Sequence, residues 1–416
     1  MKKIVLQINI EVNSGSTGRI AEHIGIVAQQ HGFESIITYA RGYNPSESKT
    51  IKIGNLLSIA SHVIRTRVFG NHLYGSRLAT LALIKKIKFI NPDIIHLHQI
   101  HGYYLHVPIL FNFLKEYNKP IVWTLHDCWA FTGHCTYFTI SKCEKWKTEC
   151  DACPKIQSYP KSLFIDASKA QYHLKKELFN AINHITFVGV SEWLVNLVKD
   201  SFLKQKKVMH IPNGINTQIF QPKEINTLLY QKYQLDSNKK YLICSGTTWI
   251  KAKGLDDYIQ LSKILPPSIQ IIIVGISNNL IASMPKEIIC ISRTESQQEL
   301  AELYSLADIL LCLSYQESFG MTPIEAMACG TPIVLYDNTA LPELVDAQTG
   351  IVVKTGDVYA VKNAIEEILL LGKPHYSKHC IDRTKTCYDI QVTYNQYIQL
   401  YNHMLTQHAK NKIYES

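Results

Sequence analysis

No stretch of this sequence holds the roughly 18–20 consecutive apolar residues that a bilayer-spanning helix requires. The opening, Met1-Lys-Lys-Ile-Val-Leu-Gln-Ile-Asn-Ile10, begins like a secretory core, but Gln7, Asn9 and Glu11 interrupt it. It reads as a buried first strand of a cytoplasmic protein. Acid is scarcer than base: 43 Lys and Arg against 34 Asp and Glu leave a net charge of +9. That balance favours anionic partners such as nucleotides, phosphates or acidic lipid headgroups. Repeats of solenoid length are absent. Cysteine is not scarce, but eleven in a 416-residue chain is an odd number in a large protein, which argues against a secreted disulfide framework. A content of 46% hydrophobic and 19% charged residues excludes a disordered chain.

What is present is a regular alternation. Apolar runs of strand length occur at Ile4–Ile10, Ser35–Ala40, Asp93–His98, Ile121–Leu125, His184–Val190 and Val208–Ile211. A second set follows at Lys240–Ser245, Ile269–Val274, Ile288–Ser292, Ile309–Ser314 and Pro332–Tyr336. Their continuous Val, Ile and Leu content fits strands covered on both faces, hence parallel sheets with helices between them. The expected architecture is α/β, with two doubly wound Rossmann-like domains. The first spans 1–215 and carries a cysteine-rich insertion at about 128–154. The second spans 225–390, after a polar linker within Phe220–Asn238. The tail 391–416 forms a helix whose Tyr394, Tyr397 and Tyr401 share one face, expected to pack back on the first domain. Ligands of such sheets bind at the carboxyl ends of strands, which suits an interdomain cleft.

The most informative segment follows the strand Ile309–Ser314: Glu317-Ser-Phe-Gly320-Met-Thr-Pro-Ile-Glu325-Ala-Met-Ala-Cys-Gly330-Thr-Pro332. Gly320 permits a tight bend, Thr322 suits a helix cap, and Pro323 suits the first helical position. Amide groups around Gly320, Met321 and Thr322 would then point out of a helix N-terminus, suited to an anion or to sugar hydroxyls. Thr322-x-x-Glu325 also reads as a capping box, a structural role for Glu325. Earlier, Gly246-Thr-Thr-Trp-Ile-Lys251-Ala-Lys253-Gly254 sets two lysines at a helix start. Two such lysines can neutralise a diphosphate or can simply be solvated.

The two Glu separated by seven residues, with Ser-Phe-Gly and Glu-Ala-Met-Ala-Cys-Gly-Thr-Pro around them, resemble the signature of retaining family-four glycosyltransferases of GT-B architecture. The resemblance covers nearly the whole chain in order. It implies that Glu317 lies against a donor sugar, that the backbone of Gly320, Met321 and Thr322 meets sugar hydroxyls and phosphate, and that Glu325 holds the ribose. It makes Lys253 the phosphate lysine, with Lys251 as second choice. Thr247 stands where the family usually has arginine.

In the first half, Asn13-Ser-Gly15-Ser-Thr-Gly18-Arg19 is not G-x-G-x-x-G, and strand two ends in Tyr39-Ala-Arg41 with no ribose-binding acid. Both features disfavour a dinucleotide dehydrogenase. Gly15 and Gly18 form either a simple turn or, as the resemblance implies, part of a donor-binding loop. In His96-Leu-His98-Gln-Ile-His101-Gly-Tyr103-Tyr104, one histidine is expected to be packed. His101, Tyr103 and Tyr104 are expected to line an acceptor pocket. His126 ends a strand as Thr124-Leu-His126, and the resemblance makes it a catalytic candidate beside Glu317 and Lys253.

Cys150-x-x-Cys153 matches half a zinc knuckle, and Cys135 with Cys143 could complete four thiolates around a structural zinc. A metal-free thiol cluster is the alternative. The resemblance implies no cofactor for catalysis. It implies transfer of a sugar, with retention, from a nucleoside diphosphate sugar to a hydroxyl acceptor. The pattern Trp123-x-Leu-His-Asp-Cys-Trp129, followed by His134-Cys135 and Cys153-Pro154, resembles bacterial transferases for exopolysaccharide or lipid-linked glycans, which implies a glycan or lipid-linked glycan acceptor in bacterial surface polysaccharide synthesis. The expected location is the cytoplasm, with peripheral contact at the inner face of an anionic membrane. A GT-B sugar-nucleotide epimerase and a zinc-knuckle nucleic-acid-binding protein are the rivals. The basic residues are dispersed, which speaks against nucleic acid as a partner.

Overall fold

The computed structural model describes residues 2–225 and 227–415. Met1, Asn226 in the expected linker and Ser416 at the end of the expected tail helix lie outside the described residues. The chain divides into two units, Met1–Pro212 with Thr393–Ser416, and Asn213–Val392.

The first unit is built on seven strands: β1 (Ile4–Ile8), β2 (Glu34–Tyr39), β3 (Lys49–Lys52), β4 (Ile94–Leu97), β5 (Ile121–Leu125), β6 (Ile185–Gly189) and β7 (Lys207–His210). They form one sheet in the order β3-β2-β1-β4-β5-β6-β7. Every pairing is parallel, with Ile8 opposite Leu97 and Leu125 opposite Gly189. The middle strands are buried on both faces, which is why their sequences are unbroken apolar runs and not alternating ones. Residues of the C-terminal helix Ile390–Glu415 complete this unit. Tyr394, Tyr397 and Tyr401 are all buried. Tyr401 Oη lies 2.6 Å from His96 Nδ1, and Tyr397 Oη 3.0 Å from Thr124 Oγ1. The aromatic helix face is thus tied to the sheet by polar contacts as well as burial.

The second unit contains β8 (Lys240–Ser245), β9 (Ile269–Val274), β10 (Ile288–Ile291), β11 (Ile309–Cys312), β12 (Ile333–Tyr336) and β13 (Gly350–Val353). Its order is β10-β9-β8-β11-β12-β13, again with every pairing parallel. The sequence reading expected neither β3 nor β13. Both are four-residue sheet edges. β3 is Lys-Thr-Ile-Lys, whose charged ends blunt an edge and break the apolar pattern; β13 opens on a glycine.

Each sheet has one switch point, where neighbouring strands send their connections in opposite directions. It falls between β1 and β4 in the first unit and between β8 and β11 in the second. The loops leaving those strands flank a crevice suited to ligands. Among the described residues, no helix is long and apolar enough to cross a membrane.

Candidate functional site

In the second unit, Lys253 follows β8 and Glu317 follows β11, so the switch point brings together residues 64 positions apart. Lys253 Nζ donates to Glu317 Oε1 in a half-buried ion pair. Burial alone would lower the lysine pKa, but the Glu317 carboxylate outweighs it and holds the ammonium above its ordinary range. Two backbone features fix the pair. The turn Lys251–Lys253 ends at Gly254, where φ is +75° and an added Cβ would lie 2.1 Å from Leu313 O. Only glycine lets the lysine turn lie this close to the end of β11. In addition, Tyr315 N donates to Ala252 O at 2.9 Å, and Glu317 N donates to Thr339 Oγ1 at 2.9 Å. Lys251 is exposed, as is Thr247 in the arginine position.

The helix after Glu317 starts earlier than its sequence suggests. It runs Met321–Ala328, and its N-cap is Gly320 at φ 110°. Thr322 is therefore inside the first turn, and Pro323 is the third helical residue. The expected Thr322 cap and Thr322–Glu325 capping box do not form. Gly320 can adopt a backbone that turns directly into the helix, and an added Cβ there would press on Leu344 Cδ1 at 2.8 Å. Met321 and Thr322 consequently present first-turn N–H groups that have no intrahelical acceptor, directly after Glu317. Glu325 accepts from Tyr304 Oη at 3.2 Å, and Tyr304 Oη also lies 2.5 Å from Ser245 Oγ at the end of β8. Ser245, Tyr304 and Thr339 support this site and were not singled out in the sequence. Ser245 had a signal, since it ends a strand at the switch point.

In the first unit a polar cavity opens at the ends of β4 and β5, lined by His98, Gln99, His101, His126, Asp127 and their neighbours. Its hydrogen bonds have a forced polarity. Gln7 Nε2 donates to Ala21 O at 2.8 Å, which fixes the amide orientation. Gln7 Oε1 must then accept from His98 Nε2, 2.9 Å away. Burial holds His98 well below the ordinary histidine range, so the ring is neutral and its Nδ1 is an acceptor. His126 Nε2, 3.1 Å away, is therefore the donor. Burial, partly offset by Asp127, lowers His126 to about 4. Neutral His126 thus carries its proton on Nε2 and offers Nδ1 as an acceptor. Gln7 is the residue that the sequence reading missed, since it served there only to interrupt an apolar run; His98 stood in the histidine motif without a partner assigned to it.

His101 is buried and donates from Nε2 to Asp127 Oδ2 at 2.8 Å. Asp127 Oδ1 also accepts from Trp129 N at 2.8 Å. Burial would raise Asp127, but His101 and these hydrogen bonds hold it below the usual carboxylate range. Tyr104 is only 1% exposed and donates to Gln99 O, so it supports the loop from inside. Tyr103 sits at φ 63°, with its ring against His62. Neither tyrosine lines the cavity. Gly15 opens the helix Gly15–Gln30 at φ 60°, but the Glu11 carboxylate fills the space where a Cβ would stand. An anion placed there would meet like charge, whereas a hydroxyl would find an acceptor. Gly18 lies against Glu11 and the backbone of Asn13.

Cys135, Cys143, Cys150 and Cys153 line one small cavity with His134 and Trp146. The two neighbouring thiols Cys135 and Cys153 act on each other: Cys153, together with burial, pushes the Cys135 thiol up, and Cys135 holds the Cys153 thiol down. Gly133 N donates to Cys150 Sγ at 3.2 Å. Among the described residues, no group of three or more His, Cys, Asp or Glu is arranged to hold a metal ion. The buried Lys175 Nζ braces this region by donating to Trp129 O at 2.8 Å and Thr132 O at 3.0 Å.

Two parallel doubly wound units, each with polar groups gathered at its switch point, define the GT-B class of glycosyltransferase fold. Known proteins agree. Residues 18–219 match the family described as Glycosyltransferase Family 4, and residues 227–386 match Glycosyl transferases group 1. The chain belongs to this group 1 and family 4 type of glycosyltransferase. It is 21% identical over 422 residues to an Escherichia coli (strain K12) protein named as a colanic acid biosynthesis glycosyl transferase, WcaC, covering 96% of this chain and 100% of that one. A second curated relative, the Streptococcus pneumoniae alpha-galactosylglucosyldiacylglycerol synthase, matches over less than half of its own length: it is 29% identical over 171 residues, which are 38% of this chain and 45% of that one. Of solved structures, Thermosynechococcus elongatus sucrose-phosphate synthase superposes with a TM-score of 0.71 at 16% identity, covering 98% of this chain and 100% of that one.

Proposed function

We propose that this glycosyltransferase moves a sugar from a nucleoside diphosphate sugar to a hydroxyl of a glycan or lipid-linked glycan, with retention at the anomeric carbon, in bacterial surface polysaccharide synthesis. The observation that carries the reading is the Lys253–Glu317 pair beside the first-turn amides of Met321 and Thr322. A donor diphosphate would take Glu317's place on Lys253, and the same lysine would stabilise it as leaving group. Glu317, released from the lysine, would accept from the sugar hydroxyls. The amide groups would meet phosphate or sugar oxygens, and Glu325 the ribose. On the first unit, His126 Nδ1 would accept from a hydroxyl. The leaving phosphate would take the acceptor's proton on the same face of the sugar, so the chemistry assigns no step to a metal. The resemblance to the colanic acid protein supports a polysaccharide acceptor.

The test is release of nucleoside diphosphate from a panel of UDP- and GDP-sugars in the presence of glycan acceptors, with the product's anomeric configuration read by NMR. Glu317→Ala and Lys253→Ala should each abolish transfer while the circular dichroism spectrum is unchanged. Normal turnover in both variants, or an inverted product, would overturn this reading. Turnover of the donor without an acceptor would identify an epimerase.

A further inference from the structure

Two helices of the first unit are apolar on the wrong side. The helix Leu56–Phe69 leaves Leu56 78%, Leu57 79% and Ile64 62% exposed, and the helix Arg77–Ile90 leaves Leu78 81% and Phe89 91% exposed. These are outward stripes, not isolated residues. Leu57, Ala60 and Ile64 recur at three- and four-residue spacing, as do Leu78, Leu81, Lys85 and Phe89, while Leu83, Ile84 and Ile87 form the opposite, buried face. A solvent-facing helix surface is ordinarily polar. The helices adjoin, since His62 Nδ1 and Ser58 Oγ meet Ser76 Oγ at 3.0 Å and 3.3 Å. Leu163 N donates to Arg67 O at 2.8 Å, which sets the exposed Phe164 at the end of the first helix.

The charge of this region is equally one-sided. From Ser48 to Pro92 there is no Asp or Glu, while eight Lys or Arg occur. Arg65, Arg67, Lys85, Lys86 and Lys88 are all exposed. Leucine and phenylalanine interleaved with cations, without acid, match an interface with apolar depth below an anionic surface. A polynucleotide would use the cations and leave the leucines in water.

We propose that the helices Leu56–Phe69 and Arg77–Ile90 form a docking face for an anionic bilayer. The apolar side chains enter the headgroup boundary, and the lysines and arginines meet the lipid phosphates. The chain is held at a surface and not threaded through it, in keeping with helices too short and too polar to span.

The test is co-sedimentation of the full chain with vesicles of phosphatidylglycerol mixed with phosphatidylcholine, and with phosphatidylcholine alone. Wild type should pellet with the anionic vesicles only, and should be released by high salt. Each cation near the surface strengthens binding about fivefold, so Lys85→Glu with Lys86→Glu should weaken it by more than about tenfold. Leu78→Ser with Phe89→Ser should weaken it comparably with all cations in place. Both pairs are exposed, so their melting midpoints should match wild type. Equal pelleting with neutral vesicles, wild-type binding by either double variant, or salt-sensitive binding to polynucleotide in place of vesicles would overturn the proposal. So would a wild-type dimer that the Leu78 and Phe89 changes dissociate without any vesicle binding. The assay involves no sugar transfer, so its failure would leave the transferase reading standing.

Discussion

His98 Nδ1 stands 3.1 Å from His126 Nε2, and the contact has one polarity. Gln7 on β1 sets it, through an amide anchored on Ala21 O. Nitrogen-resolved NMR should therefore find His126 Nδ1 unprotonated at neutral pH. Gln7→Met removes the acceptor of His98 Nε2 and leaves buried groups unpaired, at a cost of about 1–3 kcal/mol. Sugar transfer should fall about tenfold, about 1.4 kcal/mol in the barrier, with mixed tautomers at His126. A proton on Nδ1 of wild-type His126 would contradict the assignment.

Acid should unfold this protein sooner than its carboxylates alone would require. Burial lowers His23, His62, His126 and His134 to about 4, and His72, His96 and His98 well below the ordinary range. Their folded-state pKa values lie below the unfolded value near 6.5. Below that value the unfolded chain binds more protons, so the histidines' contribution to stability is full above about pH 6.5 and is lost as pH falls toward about 4. The melting midpoint should drop steadily as pH falls below about 6.5. A midpoint unchanged at pH 5 would count against neutral buried histidines.

Gly254 joins the lysine turn to its helix at a backbone angle and clearance that alanine cannot meet. Gly254→Ala should destabilise the protein by about 1–3 kcal/mol and weaken nucleotide binding by displacing Lys253. Chemical denaturation with nucleotide titration reads both. A neutral substitution would show that the close approach to Leu313 is not required.

Thr322→Ala separates the observed helix start from the one the sequence suggested. With Gly320 as the cap, the loss in stability should stay within about 0.5 kcal/mol. A capping threonine would cost about 1 kcal/mol. Denaturant midpoints decide between them.

Much of this was legible because the determining patterns are local. Buried parallel strands are continuous apolar runs, and Glu317, Gly320 and Glu325 sit in one short segment. What was not legible depends on neighbours distant in sequence. The helix start moved to Gly320 because a glycine at φ 110° overrode the cap preference of Thr322. The edge strands β3 and β13 pair on one side only, so they need no long apolar run. Gln7, His98 and His126 become a relay only when β1, β4 and β5 come together in the sheet, and no spacing rule connects residues 7 and 98. Tyr104 has the composition of a sugar-stacking residue, but the loop turns it into the core.

The central claim is that Lys253 and Glu317 form the donor site, and calorimetric titration tests it most directly. Wild type should bind a nucleoside diphosphate, tried as UDP and as GDP, and should bind the matching sugar nucleotide more tightly. Lys253→Ala should weaken both ligands by at least about tenfold, the loss of one charged contact. Glu317→Ala should leave the diphosphate bound at least as well, because Lys253 no longer has a competing carboxylate, while the extra affinity for the sugar disappears. Unchanged diphosphate binding in Lys253→Ala, or sugar preference retained in Glu317→Ala, would contradict the account.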